Sequence, residues 1–385
     1  MANIAGVRTT SNIQQARRVV DMAKNIALLD PNDSPFVTFL KLAKQDVRVA
    51  KAPKIEWLED DLIGAATQVN AGGGVSVTTS STSIPVDDGS IFSVGDLISI
   101  PANSVVYRIT AISTNTLTAI QFGTAVASGT IADDAVVLKM GNAMEENSSA
   151  PAAKTTQEVA CYNYTQIFRT PVSFSGTELA TELYGGKDRA YQRRKKALEH
   201  KRDIARAMYF GVRKEDTTGT TPRRTMGGLL SFLTQSTAFD SSTQPLTYAN
   251  FNKYVAQPVF SHGSKDKLLI AGPNLMNAIN AWSEAKLVTE VDPAATYGIR
   301  VKNLITGYGD LKVIYDPLLA DGYHAGYGMV IDTDNIRYAY LQGRDTKLNT
   351  NIQGNDVDGV IDEYITECSL EVKLPKTHLL ITGAY

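Results

Sequence analysis

The sequence predicts an α+β fold that carries a separate, inserted all-β domain. Apolar residues recur at helical spacing near the N-terminus and again in a long segment after residue 187. The C-terminal half alternates helix-like and strand-like runs. Between residues 72 and 150, by contrast, Ser, Thr, Gly and Val abound, and the basic residues are Arg108 and Lys139 alone. A chain of 385 residues is long enough to bury a sizeable core and to form two or three domains.

Residues 1–30 are predicted to form an N-terminal arm and a helix. Ser11 and Gln14 fit a capping box, and apolar residues follow at helical spacing until Asp30 and Pro31. Residues 31–71 then begin the parent domain, with a strand over 54–58. We interpret 53–62 as the first arm of a long protruding hairpin and 158–174 as its second arm.

Residues 72–150 are predicted to form a small all-β sandwich or barrel domain. Short alternating runs are separated by turn signals such as Asp87-Asp88-Gly89, a pattern typical of many short strands. The glycines at 72–74 and the linker at 147–153 are expected hinges. The parent domain resumes in residues 151–175, which contain the second hairpin arm.

Residues 176–225 are predicted to be dominated by one long helix. Ser175 and Glu178 form another capping box, and helical periodicity runs from Lys187 to about Met208, which corresponds to roughly 35 Å of helix. Residues 226–350 then mix helices and strands as a second α+β domain. Residues 351–385 are expected to supply strands that return to the first domain.

The long helix is strongly basic. Between residues 187 and 206 it has nine cations and three anions, so it needs solvent or negatively charged partners. Three interpretations stay open: a solvated face, salt bridges to acidic residues of neighbouring subunits, or salt-dependent contacts with nucleic-acid phosphates. The candidate basic residues are Arg189, Arg193, Arg194, Lys195, Lys196, Lys201, Arg202 and Arg206. The candidate acidic partners, all on the hairpin, are Glu56, Glu59, Asp60 and Asp61.

Overall composition narrows the class of protein. A formal net charge of -2 argues against a dedicated nucleic-acid binder, which would be basic overall. Cys161 and Cys368 lie far apart and imply no disulfide framework, which favours a reducing compartment. No apolar run has the length of a signal peptide core or a bilayer span, so we expect a soluble cytosolic product without membrane contact.

The sequence contains no recognisable catalytic or cofactor motif. Walker loops, dinucleotide fingerprints, nucleophile elbows and HExxH zinc motifs are all absent. His262 and His324 sit in glycine-flanked loops, with no Cys or carboxylate at ligand spacing. The β-domain has one tyrosine, Tyr107, and no tryptophan, so a sugar-binding platform is poorly supported. We expect no enzymatic activity, catalytic residue or cofactor.

Clustered carboxylates occur near the C-terminus, at Asp356, Asp358, Asp362 and Glu363. A calcium-binding loop of the EF-hand type would need acidic ligands at positions 354 and 365, which are glycine and isoleucine here. We therefore interpret this stretch as an acidic, solvated loop and expect no metal site.

Several stretches follow one another in an informative order. Thr9–Arg17, Asp30–Pro35 and Ile55–Asp60 are followed by Phe174–Leu179 and then by the helix at 189–211. In this order they resemble a family of tailed-bacteriophage major capsid proteins with the Hong Kong 97-like fold. The resemblance covers almost the whole chain except the β-domain. It rests on packing and assembly motifs rather than on catalytic residues.

The resemblance implies a role for each segment. Residues 1–30 would be the N-terminal arm, and 31–71 the start of a peripheral domain with the first arm of an extended loop. Residues 151–175 would complete that loop, with 72–150 inserted into it, and 176–225 would hold the spine helix. Residues 226–350 would be the axial domain, and 351–385 would return to the peripheral domain.

The resemblance also implies a function. The expected partners are copies of the same chain, as hexamers and pentamers of an icosahedral shell, and packaged double-stranded DNA bound without sequence specificity. Portal, scaffolding or decoration proteins are further expected partners. The location would be the virion capsid, after assembly in the host bacterial cytoplasm, and the β-domain would reinforce capsomer contacts or decorate the outer surface. Two alternatives stay open: an encapsulin-type nanocompartment shell, and an enzyme with a β accessory domain.

Overall fold

The computed structural model describes residues 36–37, 40, 47–77, 81–101, 105–123, 129–182, 188–233, 238–241, 245–286 and 302–383. The predicted arm and helix at 1–30 lie outside these residues. The chain divides into two compact units. We call Met1–Trp57 together with Cys161–Tyr385 the main unit, and Leu58–Ala160 the barrel unit.

The described helices all belong to the main unit. They are α1 (Gly176–Ala180), α2 (Asp188–Phe210), α3 (Leu229–Leu233), α4 (Tyr248–Phe251), α5 (Gln257–Phe260) and α6 (Pro273–Lys286). A π-helical turn, Asn252–Ala256, joins α4 to α5. Short 3-10 turns lie at Pro317–Leu319, Thr333–Asn335 and Pro375–Thr377.

The described strands number twenty-three. They are β1 (Arg48–Ala50), β2 (Lys54–Glu59), β3 (Ala66–Gln68), β4 (Val75–Ser76), β5 (Thr82–Pro85), β6 (Asp96–Ile100), β7 (Val105–Ser113), β8 (Thr116–Gln121), β9 (Thr130–Ile131), β10 (Val136–Asn142), β11 (Val159–Tyr164), β12 (Gln166–Ser175), β13 (Lys214–Asp216), β14 (Arg223–Thr225), β15 (Ala238–Asp240), β16 (Asp266–Ala271), β17 (Lys302–Ile305), β18 (Asp310–Tyr315), β19 (Gly328–Asp332), β20 (Ile336–Leu341), β21 (Lys347–Asn349), β22 (Gly359–Val372) and β23 (Leu379–Thr382).

Two mixed sheets organise the main unit. The first has the order β1-β20-β22-β12, with β21 also paired to β22, and the second has the order β15-β23-β19-β16-β18-β17. Helix α2 packs against β12 and β22 of the first sheet. Its buried residues Ile204, Ala205, Met208 and Tyr209 join the core there. The apolar C-terminal part of α2 therefore packs into the core of the main unit, which also includes residues of the second sheet.

The barrel unit is built from a six-stranded antiparallel sheet of order β3-β10-β6-β7-β8-β5. A bridge between Val69 and Val86 joins the chain just after β3 to the chain just after β5, so the sheet closes on itself. Alternate residues point inward, and large side chains such as Phe92, Tyr107 and Leu117 are fully buried. Of the two all-β arrangements left open by the sequence, the structure has the barrel.

The expected hinge at Gly72–Gly74 lies inside the barrel unit. The amide of Gly74 donates to the carbonyl of Ala71 at 2.7 Å, which makes a tight turn into β4. Gly74 has φ of 74°, and a Cβ atom there would meet Thr130 Cγ2 at 2.6 Å. The glycines thus serve a turn, while the chain passes between the units at 57/58 and 160/161 rather than at 72 and 150.

The predicted hairpin arms pair only in part. Strand β2 pairs with β11, as expected for the stem of a hairpin. Beyond Tyr164 the second arm leaves that partner, and β12 instead pairs with β22 from Gln166 opposite Cys368 to Ser175 opposite Gly359. The change occurs at Thr165, whose amide donates to Pro53 at 2.8 Å while its hydroxyl donates to Glu367 at 2.8 Å.

The last strands also differ from the sequence-based division at residue 350. Strand β20 lies in the first sheet beside β22, although it precedes residue 350. Strand β23 follows residue 350 but lies in the second sheet, between β15 and β19. Its residues Leu379, Leu380 and Ile381 are buried, with Leu379 and Ile381 packed on one side of the strand and Leu380 on the other.

Candidate interaction surfaces

Two of the predicted basic residues bind one buried carboxylate of the same chain. Arg189 donates to Asp362 from Nε to Oδ2 at 2.9 Å and from Nη2 to Oδ1 at 2.8 Å. Arg193 Nε donates to the same Oδ2 at 2.8 Å, and the amide of Asn351 donates to Oδ1 at 3.1 Å. The Asp362 side chain is fully buried, so this cluster fastens the N-terminal half of α2 to β22.

Hydrogen bonds from Arg189, then from Arg193 and the Asn351 amide, hold the pKa of Asp362 well below its ordinary value, although burial opposes them. The hydrogen bond to Asp362 in turn raises the pKa of Arg189. The carboxylate is therefore ionised at neutral pH, and the cluster joins one anion to two cations.

The interpretation of residues 356–363 as a solvated loop is wrong for its last two carboxylates. Asp356 and Asp358 are exposed, as expected. Asp362 and Glu363 are buried, and Glu363 Oε2 accepts a hydrogen bond from Arg169 Nη2 at 2.9 Å. Sequence spacing missed them because their partners lie more than 160 residues away.

Among the other candidate cations, Arg194 and Arg206 are exposed, and the remaining four are half-buried. Lys196 pairs with Glu199 at 2.5 Å and Arg206 with Asp203 at 3.3 Å, both three residues apart on α2. Such surface pairs contribute little to stability. Lys201 also interacts within the chain. Arg194, Lys195 and Arg202 have no ion-pair partner in the part of the chain that the structure describes.

Three of these cations lie in one row along α2. At 100° per residue, Lys195, Arg202 and Arg206 fall within about 40° of one another around α2. Their mean direction is roughly 140° from that of Arg189, Arg193 and His200, which face the sheet. We call Lys195, Arg202 and Arg206 the outer basic row.

A buried histidine fastens the middle of α2 to the sheet. His200 Nδ1 lies 2.8 Å from Thr170 Oγ1, and its Nε2 lies 2.8 Å from Thr366 Oγ1. The ring also contacts the Phe168 and Tyr364 rings, with centroids 6.4 and 6.1 Å away. Local sequence does not indicate this role of His200, because both hydroxyl partners belong to distant strands.

The four predicted acidic partners are divided between the units. Glu56 is in the main unit, and its carboxylate pairs with Lys54 at 2.5 Å. Asp60 is in the barrel unit, where its Oδ1 accepts from the Thr156 hydroxyl at 2.8 Å. Glu59 and Asp61, also in the barrel unit, each interact within the chain.

Asn163 joins β11 to β22 and to the loop before α3. Its side-chain amide donates to the carbonyls of Gly227 at 3.0 Å and Leu370 at 2.6 Å. Its oxygen accepts from the amides of Gly227 at 2.8 Å and Tyr164 at 2.9 Å. Asn163 is fully buried, and nothing in its local sequence signals this role.

Of the two loop histidines, His324 has a carboxylate partner. The Nδ1 atom of His324 lies 2.6 Å from Asp321 Oδ2, so the expectation of no carboxylate near this histidine is wrong. The His262 backbone carbonyl accepts from Lys267 Nζ at 3.0 Å.

Among the described residues, no group of three or more His, Cys, Asp or Glu side chains is placed to hold a metal ion. No helix in the described ranges is long and apolar enough to cross a membrane.

Comparison with known proteins gives one family. The model of the family described as SU10 major capsid protein matches residues 4–385. A curated relative is the major capsid protein of Pseudomonas phage PaMx41, 23% identical over 285 residues that cover 67% of this chain and 68% of that protein.

Among the solved structures that resemble this chain over nearly its full length are two capsids. The capsid of a native GTA particle has 11% identity and a TM-score of 0.51, covering 99% of this chain and 100% of that chain. The capsid of Myoviridae phage XM1 has 10% identity and a TM-score of 0.49, with the same coverage.

Proposed function

The chain belongs to the SU10 major capsid protein family, and on that premise we propose that its copies form hexamers and pentamers that close into an icosahedral shell around double-stranded DNA. It is a major capsid protein of a tailed bacteriophage and a component of the virion capsid. Its fold is α+β and Hong Kong 97-like. The observation that carries the proposal is the family match, which runs through both units of the chain.

The outer basic row supports a contact with a partner molecule, because two of its three cations have no ion-pair partner in the described part of the chain. Arg189 and Arg193 serve the internal cluster, so they are not available to a partner. Lys195 and Arg202 remain for acidic groups of a neighbouring copy or for DNA phosphates. Phosphate contacts would be independent of base sequence and would weaken as salt rises.

The barrel unit is proposed to be a domain inserted into the extended loop. Its chain enters and leaves through the paired strands β2 and β11, which supports this placement. We assign it the reinforcement of contacts between copies, with decoration of the outer surface as the second possibility. Portal, scaffolding and decoration proteins remain proposed partners, and the host bacterial cytoplasm the proposed site of assembly.

An encapsulin-type compartment is the second candidate, and it is less supported because the matching family is described as a phage capsid protein. We propose that the chain has no enzymatic activity, since the matching family is described as a capsid protein.

Electron microscopy of the purified chain tests the main proposal. We expect uniform closed shells, whereas a chain that stays monomeric under all assembly conditions would refute it. Nuclease digestion of shells isolated from infected cells then separates the two candidates. A virus capsid protects DNA, while a compartment protects protein cargo.

A charge-reversed variant tests the outer basic row. If Lys195→Glu with Arg202→Glu prevents shell formation, the row contacts a neighbouring copy. If shells form but retain less DNA, it contacts phosphates. The matched control is Lys265→Glu with Lys312→Glu, which makes the same charge change at exposed lysines elsewhere in the main unit. A row that serves only as a solvated face would leave both readouts equal to this control.

A further inference from the structure

The outer face of the barrel unit carries an apolar patch. Leu138 of β10 lies opposite Ser99 of β6, and Ser99 lies opposite Val106 of β7. The amide of Phe122 donates to the carbonyl of Val106 at 2.8 Å, so Phe122 extends the same row past β8. Water-facing sides of antiparallel sheets are ordinarily polar, and this row is mostly apolar.

A second row continues the patch. Leu97 lies opposite Arg108, which lies opposite Ile120, and Met140 occupies the bulge of β10 beside them. The exposed fractions are 63% for Met140, 56% for Phe122 and 38% for Leu138. We define the apolar patch as Leu97, Val106, Ile120, Phe122, Leu138 and Met140.

The patch is too small to hold two molecules together by itself. Four strands spaced about 4.8 Å apart and two rows of side chains span a few hundred Å² at most. A stable pairwise interface buries about 800 Å² on each partner. A weak contact of this size suits a closed assembly, where it is repeated in every copy and acts together with the others.

The distribution of charge between the two units indicates which surface the apolar patch contacts. The barrel unit has eleven acidic and three basic residues, a formal net charge of -8. The main unit has 29 acidic and 35 basic residues, a formal net charge of +6. Two barrel units therefore repel each other, whereas a barrel unit and the main unit of another copy attract.

We propose that the apolar patch docks onto the main unit of a neighbouring copy of this chain in the assembled shell. The inference rests on the proposed function, since it requires a shell. The apolar residues form the contact, and the opposite net charges of the two units determine which surface of the neighbouring copy they meet.

Photocrosslinking in shells assembled from the purified chain alone tests the contact. With benzoylphenylalanine in place of Phe122, illumination should join two chains, and the crosslinked peptide should belong to the main unit of the second copy. A crosslink between two barrel units, or within one chain, would overturn the assignment, as would shells without any crosslink. Failure of the unmodified chain to form shells would overturn the proposed function as well.

A neutral variant tests the contribution of the patch. Phe122→Ser with Met140→Ser removes two exposed apolar side chains without changing charge. We expect a roughly tenfold or larger rise in the protein concentration needed for shells, because each side chain loses its burial between copies. Ala111→Ser, at an exposed position of β7 outside the patch, should leave that concentration unchanged. Equal behaviour of both variants would also overturn the proposal.

Discussion

The hydrogen bonds of the buried Asp362 side chain hold α2 to the first sheet, and removing its charge is expected to weaken this attachment. Asp362→Asn keeps the shape of the side chain and removes its charge. The carboxylate accepts four hydrogen bonds: two from Arg189, one from Arg193 and one from the Asn351 amide. An asparagine side chain has one acceptor oxygen, and its amide group faces donors that it cannot satisfy.

The cost follows from the burial of the cluster. Removing one partner of a buried ion pair typically costs about 3–5 kcal/mol. The side chains of Arg189 and Arg193 are 29% and 27% exposed, so water recovers part of their hydration. We therefore expect a loss of about 2–4 kcal/mol in the free energy that keeps the N-terminal half of α2 closed.

Hydrogen exchange of the unassembled chain measures this loss locally. Amides in the first half of α2 should exchange roughly 30- to 700-fold faster in Asp362→Asn, while amides of the barrel unit serve as an internal reference. The control variant is Asp356→Asn, which removes the same charge at an exposed position. If the two variants exchange alike, the cluster does not hold the helix and the reasoning fails.

Three further predictions concern acid, the hairpin junction and the barrel unit. Because the folded pKa of Asp362 is depressed, its contribution is fully present above its unfolded value of about 3.9 and is lost as pH falls towards the folded value. Exchange of α2 amides, corrected for intrinsic rate, should therefore rise below about pH 4 in the wild type, with a smaller rise in Asp362→Asn. Asn163→Ala leaves four backbone groups without their partner, so calorimetry should show the main unit destabilised by about 3–4 kcal/mol with the barrel transition unmoved; a shift of less than about 1 kcal/mol would contradict it. Replacing 62–155 by a short Gly/Ser link should leave a soluble, folded main unit, because Asp60 and Thr156 are retained, are hydrogen-bonded at 2.8 Å and leave a short gap to bridge. Deleting only 72–150 keeps β3 without its barrel partner β10 and should give less soluble protein; the opposite order of solubility would refute this division of the chain.

Much of the fold could be predicted from local sequence patterns. The stem formed by β2 and β11 shows period-two alternation in β2, with Ile55 and Trp57 buried on one side. The long helix appears within a few residues of its predicted span. The many short strands between 66 and 142 also follow from alternation and turn residues. Each of these signals is contained in neighbouring residues, so one sequence is enough to see it.

The candidate surfaces depended on contacts that local patterns do not contain. The basic helix was correctly identified as charged, but its cations are divided between an internal cluster and the outer basic row. Asp362, which decides that division, looked like one more exposed acid in a polar stretch. Its role depends on Arg189, 173 positions earlier in the chain.

The sequence by itself determined the long helix α2, most strands, the separate composition of the barrel region and the resemblance to capsid proteins, because periodicity, turn chemistry and charge content are local properties. Only the tertiary structure decided that β12 leaves the hairpin for β22, that β23 joins the second sheet, and that Asn163 and Asp362 are buried. Those outcomes depend on which distant groups satisfy buried donors, acceptors and charges. Such pairing is a property of the packed chain as a whole.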